Sequence, residues 1–207
     1  MEFLRRVASR PVRLGILPGT FNPVTVAHLA LARAALVCCD QVVFVLPRIF
    51  PHKQQTGATL QERLQLLDAA LRSEPNFSLA IAEAGLFVEI AAECRQAYGG
   101  QVQLSFLCGR DAAERIVEWD YGASGSIEEM LREFDLLVAA RQGDYTPPTA
   151  LARGIQPIPV PAEFGLVSAT EVRMRVATGG SWEHLVPPMI RHQVRQIYSR
   201  GRVTAKD

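Results

Sequence analysis

VRLGILPGTFNPVTVAH, residues 12–28 of the chain, carries the strongest indication of the fold. Its first six residues are almost continuously apolar, which predicts a strand over Val12–Leu17 that is covered on both faces. A glycine-containing turn follows, and a helix is predicted to begin close to Thr25. The exposed N–H groups of such a turn, together with the partial positive charge of a helix N-terminus, favour a bound phosphate there.

The rest of the chain continues this alternation of short apolar runs with longer runs of helical periodicity. Further strands are predicted at Gln41–Leu46, Phe77–Ala82, Val102–Leu107, Asp135–Ala139 and Ile155–Ile158. Helices are predicted at Val26–Val37, Leu60–Arg72, Val88–Tyr98, Ala112–Trp119 and, as a short C-terminal tail, Pro187–Ser199. The pattern predicts an α/β fold, a Rossmann-like doubly wound parallel sheet in three layers. No linker divides the 207 residues, so we expect a single domain with its core at about residues 12–199.

Composition and charge exclude several classes of function. With 22 basic and 21 acidic residues the net charge is +1, so no global field attracts nucleic acid or an anionic membrane. No apolar run approaches the roughly 18 residues of a membrane span, and the first residues do not resemble a secretory signal. The four cysteines lack CxxC spacing and are interpreted as reduced thiols of a cytoplasmic protein, not as metal ligands or disulfides. The oligomeric state, monomer or homo-oligomer, stays open.

Two segments carry residues suited to phosphate, and each also has a purely structural explanation. Thr25 and His28 are three residues apart, hence on one face of a first helical turn, where they would also serve as a cap and an ordinary polar residue. The second segment, VSATEVR at residues 167–173, gathers two hydroxyls and a guanidinium at a predicted helix start, which suits a polyphosphate. Ser168 and Glu171 are also spaced as a capping box.

Taken together, the two segments resemble the HxGH and ISxTxxR signatures of the cytidylyltransferase-like nucleotidyltransferases. Within that superfamily the chain is most similar to the nicotinate/nicotinamide mononucleotide adenylyltransferases. Supporting segments occur in the family's order at Phe50–Lys53, Glu62–Leu64, Phe106–Asp111 with Trp119 beyond it, Leu136–Arg141 and Gly180–Pro188. The resemblance extends from about residue 12 to residue 199.

This resemblance implies transfer of the adenylyl group of ATP to a pyridine mononucleotide, with pyrophosphate as the leaving group and Mg²⁺ bridging the phosphates. It implies that the catalytic residues are His28, Lys53 and Arg173. It places ATP and its phosphates at Gly19, Thr20, Phe21, Thr25, Gly109, Asp111, Ser168 and Thr170. It places the acceptor at Asn22, Val88 and Trp119. No metal site formed by the protein itself is expected.

Four positions depart from the family's pattern, Pro18, Thr25, Val88 and Arg110, and two of them bear directly on the chemistry. Thr25 replaces the first histidine of HxGH; its hydroxyl can donate to a phosphate but brings no positive charge. Val88 stands where bacterial relatives have a threonine that helps to recognise the pyridine substituent, and it can make no side-chain hydrogen bond. The choice between nicotinate and nicotinamide therefore stays open. Three alternatives also remain: another phosphorylated acceptor such as phosphopantetheine, CTP as the donor, and a nucleotide-binding protein without turnover.

Overall fold

The computed structural model describes residues 1–49, 57–118, 126–139 and 145–200. Its strands are β1 (Glu2–Arg5), β2 (Arg13–Pro18), β3 (Gln41–Pro47), β4 (Phe77–Ala82), β5 (Gln103–Gly109), β6 (Asp135–Ala139) and β7 (Ile155–Ile158). Its α-helices are α1 (Val26–Ala35), α2 (Leu60–Leu71), α3 (Phe87–Tyr98), α4 (Arg110–Glu118), α5 (Ile127–Glu133), α6 (Ala169–Thr178) and α7 (Arg191–Tyr198). Every strand predicted from the sequence is present, and β4, β6 and β7 have the predicted bounds.

The described strands form one sheet in the order β1-β4-β3-β2-β5-β6-β7. All neighbours run parallel except β1, which is antiparallel to β4. The chain builds the sheet outward from β2, first through β3 and β4 on one side and then through β5, β6 and β7 on the other. Open α/β sheets bind ligands at the carboxyl ends of the strands where this order reverses. In this sheet that point lies between β2 and β5.

The sheet separates two hydrophobic cores. One core joins α1, α2, α6 and α7 to the sheet, through buried side chains such as Leu31, Leu67 and Val172. The other core joins α3, α4 and α5 to the opposite face, with Ile90 and Ala113 among its members. The predicted three-layer, doubly wound α/β fold is thereby confirmed. No helix in the described ranges is long and apolar enough to span a membrane.

Two elements lie outside the sequence predictions, β1 and α5. β1 has four residues whose exposure alternates, and it depends on pairing with β4 and on the ring of Phe3, whose centroid lies 5.6 Å from that of Tyr98. α5 begins with the capping box of Ser126 and Glu129 and carries Ile127, Met130 and Leu131 at helical spacing, a local pattern that the sequence prediction did not use. Tertiary contacts specify β1 more than its local pattern does. The predicted helical tail consists of a short 3₁₀ turn, Pro188–Ile190, followed by α7.

Candidate active site

The loop that joins β2 to α1 forms the floor of the candidate site, and its conformation depends on Phe21. This residue has a φ of 44°, in the left-handed region that bulky side chains rarely adopt. Its ring is 1% exposed, with its centroid 5.6 Å from that of Phe44 and 5.2 Å from that of His28, edge-on to the imidazole. A Cβ atom at position 19 would lie 3.1 Å from the same ring, which explains the glycine there.

The backbone donors of this loop divide into two groups. The N–H of Gly19 donates to the carbonyl of Val45 at 3.1 Å, so it is used to join the loop to β3. No acceptor among the described residues takes up the N–H groups of Thr20 and Phe21. These are the two donors that the sequence interpretation assigned to a phosphate, and the structure leaves them available for that role.

The imidazole of His28 is fixed by the first turn of α1. The backbone N–H of Thr25 donates to Nδ1 at 3.0 Å, and the Thr25 hydroxyl oxygen lies 2.8 Å from the same nitrogen. A backbone N–H can only donate, so Nδ1 is the acceptor and the proton of the neutral ring sits on Nε2. Thr25 is fully buried, and its hydroxyl faces the imidazole. Its predicted contact with phosphate stays a prediction.

The second candidate segment begins α6, but only half of the predicted capping box forms. The hydroxyl of Ser168 accepts from the N–H of Glu171 at 3.1 Å, as the motif requires. The carboxylate of Glu171 pairs instead with Nε of Arg175, one turn further along the same helix, at 2.5 Å. An ion pair at this spacing therefore replaces the reciprocal bond, and the expectation of a complete capping box was wrong.

Arg173 joins the two candidate segments, which are far apart in the sequence. Its Nη1 donates to the carbonyl oxygen of Asn22 at 2.6 Å, and its Nη2 donates to the hydroxyl of Thr170 at 3.3 Å. The first bond spans 151 residues and holds the start of α6 against the loop between β2 and α1. Two helix N-termini thus converge at the point where the strand order reverses, and both favour negative charge.

The remaining predicted site residues lie on other elements around the same edge of the sheet. Gly109 is the last residue of β5, and Asp111 lies exposed in the first turn of α4. Val88 is in the first turn of α3, 44% exposed. Lys53 and Trp119 lie outside the described residues. Within the described ranges, no group of three or more His, Cys, Asp or Glu residues is placed to hold a metal ion.

The chain is similar to known proteins in both sequence and structure. Residues 16–175 match the family model described as cytidylyltransferase-like. The chain belongs to the cytidylyltransferase-like family. It is 32% identical to a probable nicotinate-nucleotide adenylyltransferase of Moorella thermoacetica, over 94% of this chain and 93% of the relative. A relative of the same name from Thermus thermophilus is 31% identical over 85% of this chain and 92% of its own length.

Solved structures show the same fold. The nicotinic acid mononucleotide adenylyltransferase of Plasmodium falciparum, complexed with NaAD, matches with a TM-score of 0.69 at 16% identity. That match covers 93% of this chain and 96% of the other. The sequence similarity places the chain among the nicotinate-nucleotide adenylyltransferases of the cytidylyltransferase-like family, and hence among the nucleotidyltransferase enzymes. The similarity of fold agrees with this.

Two side chains to which the sequence analysis assigned no role also support this cytidylyltransferase-like site. Nη1 of Arg63, on α2, donates to the carbonyl of Thr20 at 3.0 Å. The hydroxyl of Tyr198, at the end of α7, donates to Oδ1 of Asn22 at 2.6 Å. Burial raises the pKa of Tyr198, so its hydroxyl keeps the proton that it donates. Burial also lowers the pKa of Arg63, although an arginine remains charged under such a shift.

Only one of these two residues leaves a signal in the sequence. Arg63 precedes Leu66, Leu67 and Ala70 at helical spacing, so a charged residue occupies the apolar face of a predicted helix. Tyr198 sits on an apolar face where a tyrosine is unremarkable. Because Tyr198 donates to the amide oxygen of Asn22, that oxygen is already hydrogen-bonded within the protein. The predicted contact of Asn22 with the acceptor stays a prediction.

Proposed function

We propose that this enzyme joins ATP to nicotinate or nicotinamide mononucleotide, releasing pyrophosphate, as a step in the synthesis of NAD. The observation that carries the proposal is the 2.6 Å bond between Nη1 of Arg173 and the carbonyl of Asn22. That bond brings the guanidinium of Arg173 to the loop that carries the N–H groups of Thr20 and Phe21, and this loop leads into the helix turn that carries His28. The names of the full-length relatives support a pyridine mononucleotide as the acceptor.

The proposed reaction is a single in-line displacement. An oxygen of the mononucleotide phosphate attacks the α-phosphorus of ATP and forms the new P–O bond. The bond from the α-phosphorus to the bridging oxygen breaks, and its electron pair leaves with pyrophosphate. No covalent intermediate with the protein forms, so the enzyme supplies positioning and stabilisation of charge on the phosphoryl oxygens. We propose that Mg²⁺ enters as part of the ATP substrate.

Each group has a proposed part in stabilising that charge. Nε2–H of His28 donates to an oxygen of the α-phosphate, because Nδ1 is held by Thr25. The N–H groups of Thr20 and Phe21 donate to phosphate oxygens from the loop. Arg173 and Lys53 hold the outer phosphates, with Ser168, Thr170 and the N-terminus of α6 beside them. Asp111, two residues after Gly109, accepts from ribose hydroxyls, Trp119 stacks on the acceptor's pyridine ring, and Val88 also contacts the acceptor.

Release of pyrophosphate from ATP across a small panel of acceptors tests the function. We expect turnover with nicotinate and nicotinamide mononucleotides, and none with phosphopantetheine or with CTP as the donor. The side chain of Val88 offers only methyl groups, so the two pyridine forms should differ by less than about 100-fold in kcat/KM. A preference of about 10,000-fold would show that another polar group reads the substituent. If neither pyridine nucleotide reacts and another phosphate does, the acceptor assignment is wrong.

We also propose a cytoplasmic location. All four cysteines are free thiols in the structure, and none pairs with another. Burial raises the pKa of Cys39, Cys94 and Cys108 to about 12, so these thiols are poor nucleophiles and poor metal ligands. Unpaired cysteines in this number are typical of proteins kept in a reducing compartment.

A further inference from the structure

Arg63 is the bulkiest of the fully buried side chains in the described ranges, at 1% exposure. It is the fourth residue of α2, on the face that also buries Leu66 and Leu67. Burial of a guanidinium costs several kcal/mol unless its N–H groups are bonded, and an apolar side chain of similar volume is often as stable or more so. The arginine at this position is therefore better explained by the hydrogen bonds that its N–H groups donate than by its packing in the core.

Two of its hydrogen bonds go to backbone carbonyls. Nε donates to the carbonyl of Thr59, the cap of its own helix, at 3.3 Å. Nη1 donates to the carbonyl of Thr20, in the loop between β2 and α1, at 3.0 Å. That carbonyl belongs to the peptide whose N–H is that of Phe21. In a trans peptide the C=O and the N–H point in opposite directions. A carbonyl held towards α2 therefore directs the N–H of Phe21 away from α2.

Two further side chains hold oxygen atoms of the same loop. The carbonyl of Asn22 accepts from Arg173, and the amide oxygen of Asn22 accepts from Tyr198. Phe21, which lies between Thr20 and Asn22, has a positive φ. Such a backbone conformation turns successive peptides of a loop so that their N–H groups can converge on an anion. These oxygen atoms of the loop thus accept hydrogen bonds from protein side chains, while the N–H groups of Thr20 and Phe21 have no acceptor among the described residues.

We propose that Arg63 is a positioning residue, which fixes the peptide between Thr20 and Phe21 so that the N–H of Phe21 donates to a phosphate oxygen of the bound nucleotide. The identity of that nucleotide as ATP rests on the proposed function. The positioning itself requires only a ligand that carries phosphate at this loop. In this proposal Arg63 acts by holding the backbone of the loop and does not contact the ligand.

The test follows the amide of Phe21 by ¹⁵N–¹H NMR in protein labelled at phenylalanine, before and after addition of MgATP without an acceptor. In the wild type, we expect the Phe21 amide proton to move downfield as the nucleotide binds. Arg63→Lys keeps the charge but cannot span both carbonyls, so this movement should fall to less than about half. In the same variant, kcat should fall about 10- to 100-fold, as expected for a misdirected donor, with little change in KM for the mononucleotide.

Arg95→Lys is the matched control, because Arg95 also donates from a helix to a backbone carbonyl, that of Glu133, far from the loop. It should leave the amide movement and the kinetics unchanged. A folded Arg63→Lys with the full Phe21 movement would overturn the proposal. So would a wild type whose Phe21 amide does not respond to MgATP, a result that needs no variant to fold. Binding with the expected movement, but no pyrophosphate release with any acceptor, would refute the proposed function and support the role of Arg63.

Discussion

His28 has two separable tasks in this structure, and replacement by asparagine or by alanine should distinguish them. Nδ1 accepts from the buried backbone N–H of Thr25 at 3.0 Å, which completes the first turn of α1. Nε2 carries the proton that we assign to the α-phosphate. The amide oxygen of an asparagine reaches about the position of Nδ1, but asparagine has no counterpart of Nε2. His28→Asn should therefore keep the structural bond and lose the catalytic one, whereas His28→Ala loses both.

The expected magnitudes differ for the two tasks. Loss of one preorganised donor to a developing charge commonly costs about 100- to 1,000-fold in kcat, or roughly 2.7–4 kcal/mol. Loss of the acceptor for a buried N–H costs about 1–3 kcal/mol of stability. His28 is only half-buried, and water can enter where its ring is removed, so the lower end of that range applies. At about 2–4 °C per kcal/mol for a protein of this size, His28→Ala should lower Tm by a few degrees.

The assays are pyrophosphate release at saturating MgATP and mononucleotide, and thermal unfolding followed by circular dichroism. We expect both variants to lose activity alike, with His28→Asn close to the wild type in Tm. Retention of more than a tenth of the wild-type kcat by His28→Asn would remove His28 from the catalytic role. Equal losses of Tm in the two variants would show that the bond to Thr25 is not what the residue contributes to the fold.

Two further predictions concern the ligands one at a time. In Arg173→Lys, a single ammonium cannot replace a fork that reaches both Asn22 and Thr170, so MgATP affinity should fall about tenfold or more while mononucleotide affinity changes little. Separate titrations of each ligand measure this, and equal losses for both would contradict the assignment. If Trp119 stacks on the pyridine ring, mononucleotide should quench its fluorescence. Trp119→Ala should then abolish the quenching and weaken acceptor binding roughly 5- to 150-fold, as base stacking is worth about 1–3 kcal/mol. Unchanged quenching would point to Trp182.

The fold was predictable because its central strands are continuously apolar runs. β3 and β4 are buried along their whole length, and a run of that kind has few alternatives to a parallel strand covered on both faces. The edge strand β1 carries the charged residues Glu2 and Arg5 and only four residues in all, so its strand character comes from pairing with β4. The local sequence pattern contains no information about pairing with residues about 80 positions away.

The site was predictable in its segments and not in its contacts. The signatures indicated that residues 19–28 and 168–173 belong to one site, and the bond from Arg173 to Asn22 shows that the two segments are in contact. Spacing alone could not show that Glu171 prefers Arg175 to the cap, because both partners lie within reach on the same helix. Nor could it show that the amide of Asn22 is held by Tyr198. Side chains of similar chemistry compete for each partner, and the packed structure decides among them.

Thr25 shows how the departure from the signature fits the rest of the site. Its hydroxyl and N–H both lie against Nδ1 of His28, so the position still orients the second signature residue although it no longer adds a charge. Positive charge near the loop comes instead from Arg173 and Arg63, whose guanidinium groups each donate to a carbonyl of the loop. The chain as a whole has a net charge of only +1, so attraction of phosphate must be local.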